Sequence, residues 1–161
     1  VAATSRELLV ALTDESPHLP PDWATLPDGN VREDGLTAFP AGAPPTHGWD
    51  AMRVAVQLAV DCDPEGRAVA ERMWGFHLAQ GVAAGRVYAL DGRAVDDSTH
   101  AAALVATAGA ASASGAPDSA RALLARAETW DTEHPTYYGA AWLALGRLWL
   151  TTDLLGGCAG T

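Results

Sequence analysis

Asp50, Arg53, Gln57 and Asp61 follow one another at offsets of three, four and four residues, a spacing that stacks side chains on one helical face. Every other position from Trp49 to Val60 is Trp, Ala, Met, Val or Leu. A helix that is apolar around most of its circumference is surrounded by protein. Its polar stripe must then pair internally or line a cleft, and we read it as a cleft wall. Asp50 is expected in the first helical turn, where unpaired backbone N–H groups and the helix dipole favour a carboxylate. Arg53, three residues on, can reach the same group and strengthens that preference. A carboxylate held negative near neutral pH is suited to take a proton or hold a water, and poorly suited to donate a proton. The structural alternative is a helix-start residue paired with Arg53 for stability alone. The continuation of the stripe argues for a cleft, as do Trp49 and the loop aromatics, which offer flat surfaces of the kind sugars stack on.

The remaining candidates are weaker. Tyr137 and Tyr138 could present a hydroxyl to a groove, although tyrosines so placed more often pack in a core with the hydroxyl bonded. His18, His47, His77, His100 and His134 are scattered without metal-ligand spacing and read as solvent or core residues. Asp22, Glu15, Glu33 and Asp34 read as solvated loop carboxylates. No G-x-S-x-G motif, glycine-rich phosphate loop or catalytic cysteine context occurs. No cofactor or metal is expected.

Six helical segments can position these groups. They run from about Ser5 to Thr13, Trp49 to Asp61, Asp63-Pro64 through Gln80, Ser98 to Ser112, Asp118 to Trp130, and Thr136 to Leu150, the last ending before Gly156-Gly157. The segment from Asp14 to His47, punctuated by prolines, reads as a long irregular loop. Asp91-Gly92 between the short runs on either side signals a tight β-hairpin. The fourth segment is so rich in Ala that neighbouring helices could approach it closely. Short connections and alternating apolar and amphipathic helices predict α-hairpins stacked in an inner and an outer layer, and no fixed-period repeat is visible.

The 161 residues suffice for one domain, residues 1–161, with 48% hydrophobic content. A net charge of -10 excludes nucleic acid as a plausible partner, because phosphate binding needs clustered cations, and the ten basic residues, all Arg, do not cluster. There is no run of apolar residues long enough to span a membrane. Cys62 and Cys158 lack metal spacing and read as buried free thiols, with a disulfide left open. The start at Val1, without Met, leads us to expect a processed or truncated chain, so the lack of a leader says nothing about export.

Several segments, in order, resemble the second half of glycoside hydrolase family 8, the inverting endoglucanase, xylanase and chitosanase family with an (α/α)6 barrel. Leu19-Pro20-Pro21-Asp22-Trp23 resembles its Pro-Asp-Trp loop, and Trp49-Asp50-Ala51-Met52-Arg53, followed by an apolar helix and Asp61, resembles its aromatic-Asp-Ala-x-Arg motif. Tyr88-Ala89-Leu90-Asp91-Gly92 resembles the hairpin after the next helix. Tyr137-Tyr138-Gly139 with Leu143, Leu145 and Leu148 resembles the closing helix.

The resemblance implies an all-α fold, a partial (α/α)6 barrel forming the C-terminal half of a larger domain. It implies Asp50 as the general base that activates the attacking water, Arg53 as the group that holds it, and Trp49 and Tyr138 as contacts for a β-1,4-linked polysaccharide such as cellulose. Inversion requires a second carboxyl about 6.5–9.5 Å from the base. In the family this acid is a Glu near the start of the full domain, and no segment here resembles its surroundings. The missing N-terminal half is therefore an expected partner, the chain alone is expected to hydrolyse no glycan, and the parent protein is expected to be secreted or periplasmic. The competing readings are a non-catalytic helical binding module, whose Asp50→Ala variant would change affinity only, and a different α/α-barrel enzyme, distinguished by product stereochemistry.

Overall fold

A computed structural model describes residues 2–15, 17–24, 44–81, 86–95 and 97–154. Along them lie α1 (Ala2–Leu12), β1 (Thr46–His47), α2 (Arg53–Ala59), α3 (Pro64–Ala79), β2 (Tyr88–Ala89), α4 (Ala101–Ala113), α5 (Pro117–Glu133) and α6 (Tyr137–Thr151). The fold is all-α with one small antiparallel sheet. Side-chain caps start three of the helices. Asp63 accepts the Glu65 N–H at 2.9 Å with Pro64 at the first helical position, and the Thr136 hydroxyl accepts the Gly139 N–H at 2.9 Å. His100 caps α4, its Nδ1 accepting the Ala102 N–H at 3.1 Å.

Side-chain contacts fix the helix directions. Arg67 near the start of α3 donates to the carbonyl of Ala113 at the end of α4, so these two helices run antiparallel. A Cβ on Gly139 would meet Ala101, and one on Gly146 would meet Val105, so α6 runs parallel to α4. Arg6 pairs with Asp61 while Thr13 meets Arg72, which sets α1 parallel to α3. The N-termini of α2, α4 and α6 and the C-termini of α1, α3 and α5 therefore gather at one end, together with the long connections. The opposite end carries the short links 60–63 and 114–116, together with the start of α1 and the end of α6.

α4 lies at the centre, with α2, α3, α5 and α6 all packed on it. From Ala101 to Ala111 every residue of α4 is buried, as its alanine-rich sequence predicts. The closest approach is at Gly109, where a built Cβ would stand 2.5 Å from the Cα of Val56 and 3.0 Å from the carbonyl oxygen of Ala55. Those neighbours are backbone and cannot rotate away. Gly109→Ala is thus expected to lower stability by about 1–3 kcal/mol through forced separation of α2 and α4; a urea midpoint equal to that of the parent protein would refute it.

The structure corrects several expectations. The helix expected over Trp49 to Asp61 is shorter: residues 49–52 form turns, and regular helix spans Arg53–Ala59. Pro64 disfavours helical geometry at Asp63, which stops α2 from running on into α3. The segment expected to be irregular up to His47 contains β1, paired with β2 so that Thr46 faces Ala89 and His47 faces Tyr88. Asp91-Gly92 does reverse the chain, but through a longer turn: the Ala89 N–H donates to the carbonyl of Arg93 at 2.9 Å, with Gly92 left-handed at φ +86°. Cys62 is exposed and disulfide-bonded rather than a buried free thiol. Glu33, Asp34, Gly156, Gly157 and Cys158 lie outside the described residues. No helix among the described residues is long and apolar enough to cross a membrane.

Candidate functional site

The turn at 48–52 carries the candidate base, and a distant carboxylate builds it. Asp22 Oδ1 accepts the N–H groups of Gly48 at 3.0 Å, Asp50 at 3.0 Å and Ala51 at 2.9 Å, while Oδ2 accepts the Thr46 hydroxyl at 3.0 Å. The Asp22 N–H returns a bond to the carbonyl of Thr46 at 2.8 Å. Such close approach requires glycine at position 48, where a Cβ would stand 2.6 Å from Asp22 Oδ2. Asp22 is thus a structural clamp, not the solvated loop carboxylate expected from its surroundings. It also occupies the backbone amides that were expected to serve the charge of Asp50. Asp22→Ala leaves three N–H groups and a hydroxyl without their acceptor, and is expected to lower stability by about 2 kcal/mol. Thermal denaturation of the variant tests this, an unchanged midpoint counting against the clamp.

Asp50 is held from one side only. Arg53 Nη2 donates to Asp50 Oδ1, and Arg53 Nε donates to the Asp50 carbonyl at 3.1 Å. The side chains remain open to solvent, Asp50 at 44% and Arg53 at 37% exposure. No hydrogen bond to Asp50 Oδ2 joins it to another described residue, so that oxygen can accept a proton or bind a water.

Aromatic rings flank this turn. Trp49 meets His100 edge-on with centroids 5.1 Å apart, His100 lies 5.7 Å from Tyr138, and Tyr138 lies 6.3 Å from Trp142. The Tyr138 hydroxyl donates to the Trp49 carbonyl at 2.9 Å, pinning the start of α6 to the turn. Burial raises the Tyr138 hydroxyl above its ordinary pKa, with Arg53 acting the opposite way and Asp50 reinforcing the rise. The phenol therefore stays protonated and donating at neutral pH. His100 is pushed down by burial, with Asp131 opposing.

The expected polar stripe is only partly one surface. Asp50 and Arg53 share the turn and Gln57 is exposed on α2, but Asp61 belongs elsewhere. Asp61 Oδ2 accepts from Arg6 Nε at 2.7 Å, and this hydrogen bond holds its carboxyl below the usual carboxylate range. Arg6 also reaches Asp63 at 3.2 Å. Tyr137, considered beside Tyr138, is 92% exposed. Two participants escaped the sequence reading. Asp22 could have been suspected from its place in Pro21-Asp22-Trp23, and His100 from its position just before an apolar helix. Among the described residues no group of three or more His, Cys, Asp or Glu is placed to hold a metal ion.

No protein-family model matches the chain. No curated protein matches it significantly.

Proposed function

We infer that this chain is the base-bearing part of an inverting glycoside hydrolase acting on a β-1,4-linked glycan such as cellulose. One observation carries the reading: a half-exposed carboxylate, Asp50, gripped by Arg53 on one oxygen and bordered by Trp49 and Tyr138, sits where the long connections of the helix layer gather. The layered alternation of parallel even-numbered and antiparallel odd-numbered helices also suits a segment of an α/α barrel.

In this reading Asp50 Oδ2 takes a proton from a water that attacks the anomeric carbon on the face opposite the leaving oxygen. Arg53 fixes the orientation of the carboxylate. Trp49 and Tyr138 supply apolar faces for a sugar ring, as ligand sites commonly do. The leaving oxygen is protonated by a glutamic acid from the upstream half of the barrel, which completes the site. The disulfide at Cys62 agrees with an oxidising compartment, and so with a secreted or periplasmic protein.

The test is reconstitution. The isolated chain should release no reducing sugar from β-glucan, xylan or chitosan. Co-expressed with the segment encoded upstream, it should release sugar whose anomeric configuration is inverted. Retained configuration would overturn the mechanism, and glycan binding without turnover in the reconstituted protein would identify a non-catalytic binding module instead.

A further inference from the structure

Away from Asp50, a groove of about 550 Å³ lies between the loop after α1, the C-terminal part of α3 and the turn at Asp91-Gly92; Pro17, His18, Arg72, Phe76, Gln80 and Asp91 are among its walls. It shares no lining residue with the Asp50 site. Its two nitrogen-bearing walls are built from one hub. Thr13 is fully buried. Its hydroxyl donates to the Leu9 carbonyl at 2.7 Å and accepts from Arg72 Nη2 at 2.9 Å, while its carbonyl accepts from His18 Nδ1 at 2.8 Å.

Two features of this arrangement are unsatisfied by the fold itself. His18 is held left-handed at φ +64°, the only non-glycine residue so placed among the described residues, and strain of this kind persists where the surroundings impose it. Among the described residues Arg72, like Arg67, Arg93 and Arg126, joins no ion pair, whereas Arg6, Arg53, Arg86, Arg121 and Arg147 each have a carboxylate. Its Nε is buried with no acceptor among the described residues, which sets Arg72 apart while leaving the outer guanidinium nitrogens to meet a ligand. In a chain of net charge -10, a guanidinium without a carboxylate partner, fixed in a groove wall, is an unfilled demand for negative charge.

We propose that this groove is a second ligand site, which takes an oxyanion, a carboxylate or a phosphate group, between Arg72 and His18. The Nδ1–H bond to Thr13 leaves His18 Nε2 as an acceptor, which takes a hydrogen bond from an O–H beside the anionic group, a sugar hydroxyl or a phosphate O–H. The guanidinium supplies the charge, and Phe76 and Pro17 supply an apolar wall for the body of the molecule. Asp91, exposed on the opposing turn, repels the same ligand and limits its affinity.

Isothermal titration of the whole chain at fixed ionic strength tests this, with D-glucuronate and inorganic phosphate as probes and D-glucose as the neutral control. Saturable binding of glucuronate, of phosphate or of both is expected, and the preferred probe tells an acidic sugar from a phosphate source. Arg72→Gln should weaken it by about 10-fold or more. His18→Asn, which tolerates the left-handed backbone, should weaken it about threefold, and Asp91→Asn should tighten it by a similar factor. Absence of saturable binding by both probes overturns the proposal, as does equal binding of glucose or an affinity indifferent to Arg72→Gln. Should Arg72→Gln fail to fold, Asp91→Asn decides, since an unchanged or weaker affinity there is equally fatal.

Discussion

Replacing Asp50 by Asn is expected to lower turnover by about 10²–10⁴-fold in the hydrolase proposed above, once reconstituted, because that is the usual contribution of a positioned general base. The substitution keeps the size of the side chain and an oxygen for Arg53, so glycan affinity and thermal midpoint should change little. Its chemistry is altogether different, because an amide cannot accept the proton of the attacking water. The expected kinetic signature is a fall in kcat and kcat/KM together, with KM nearly constant. A loss confined to KM would mean that Asp50 binds sugar without activating water. The clamp by Asp22 makes the experiment clean, since the turn is held by backbone bonds that Asp50→Asn leaves in place.

The second large effect is on acid stability. His77 and His47 are buried near each other beneath the sheet, and both line one small enclosed space with Met52, Arg86 and Thr107. Burial, and secondarily the nearness of His47, pushes His77 down from 6.5 to about 3, and its Nδ1 has no hydrogen-bond partner among the described residues. Burial also lowers His47, against the opposing influence of the Pro20 carbonyl and of Asp22. Below about pH 6.5 the unfolded chain takes up protons that the native state refuses, so stability falls as pH falls. The contribution of His77 is fully present above its unfolded pKa and is lost progressively down to about pH 3, where the loss levels off. The limiting slope is about 1.4 kcal/mol per pH unit for one imidazole, so His77 alone contributes a loss of about 2 kcal/mol between pH 6.5 and 4.5. Urea midpoints measured at about pH 6.5 and 4.5 should show this decline, and His77→Leu should flatten it. Equal midpoints in the parent protein would show that the imidazole is protonated in the native state.

The helices were legible in the sequence wherever their start and apolar face are local properties. Asp63-Pro64 and Thr136 cap α3 and α6 as their sequences predict, and the inward positions Leu123, Leu124 and Ala127 of α5 are buried. Legibility failed where the decisive partner is remote. The turn before α2 depends on a carboxylate from the Asp22 loop, and Asp61 was drawn from the stripe by Arg6 on α1. No helical periodicity announces either bond. β1 is two residues long, too short for an alternating pattern, and exists because Tyr88 and Ala89 lie beside it. The juxtaposition of Asp50, Arg53, Trp49 and Tyr138 was anticipated as a group, yet His100 entered it through tertiary packing. His77 follows the helical period of Val69, Met73 and Phe76 and is buried with them, whereas nothing in Thr46-His47-Gly48 announces the burial of His47.

The polarity of the helix layer separates two kinds of change. At one end the short links 60–63 and 114–116 join α2 to α3 and α4 to α5. At the other, successive connections contribute Asp22, Asp50, Asp91 and His100 while the alanine-rich α4 continues undisturbed beneath them. Recognition can therefore diversify by loop exchange on an unaltered chassis, and a designer seeking new specificity would graft at that rim alone.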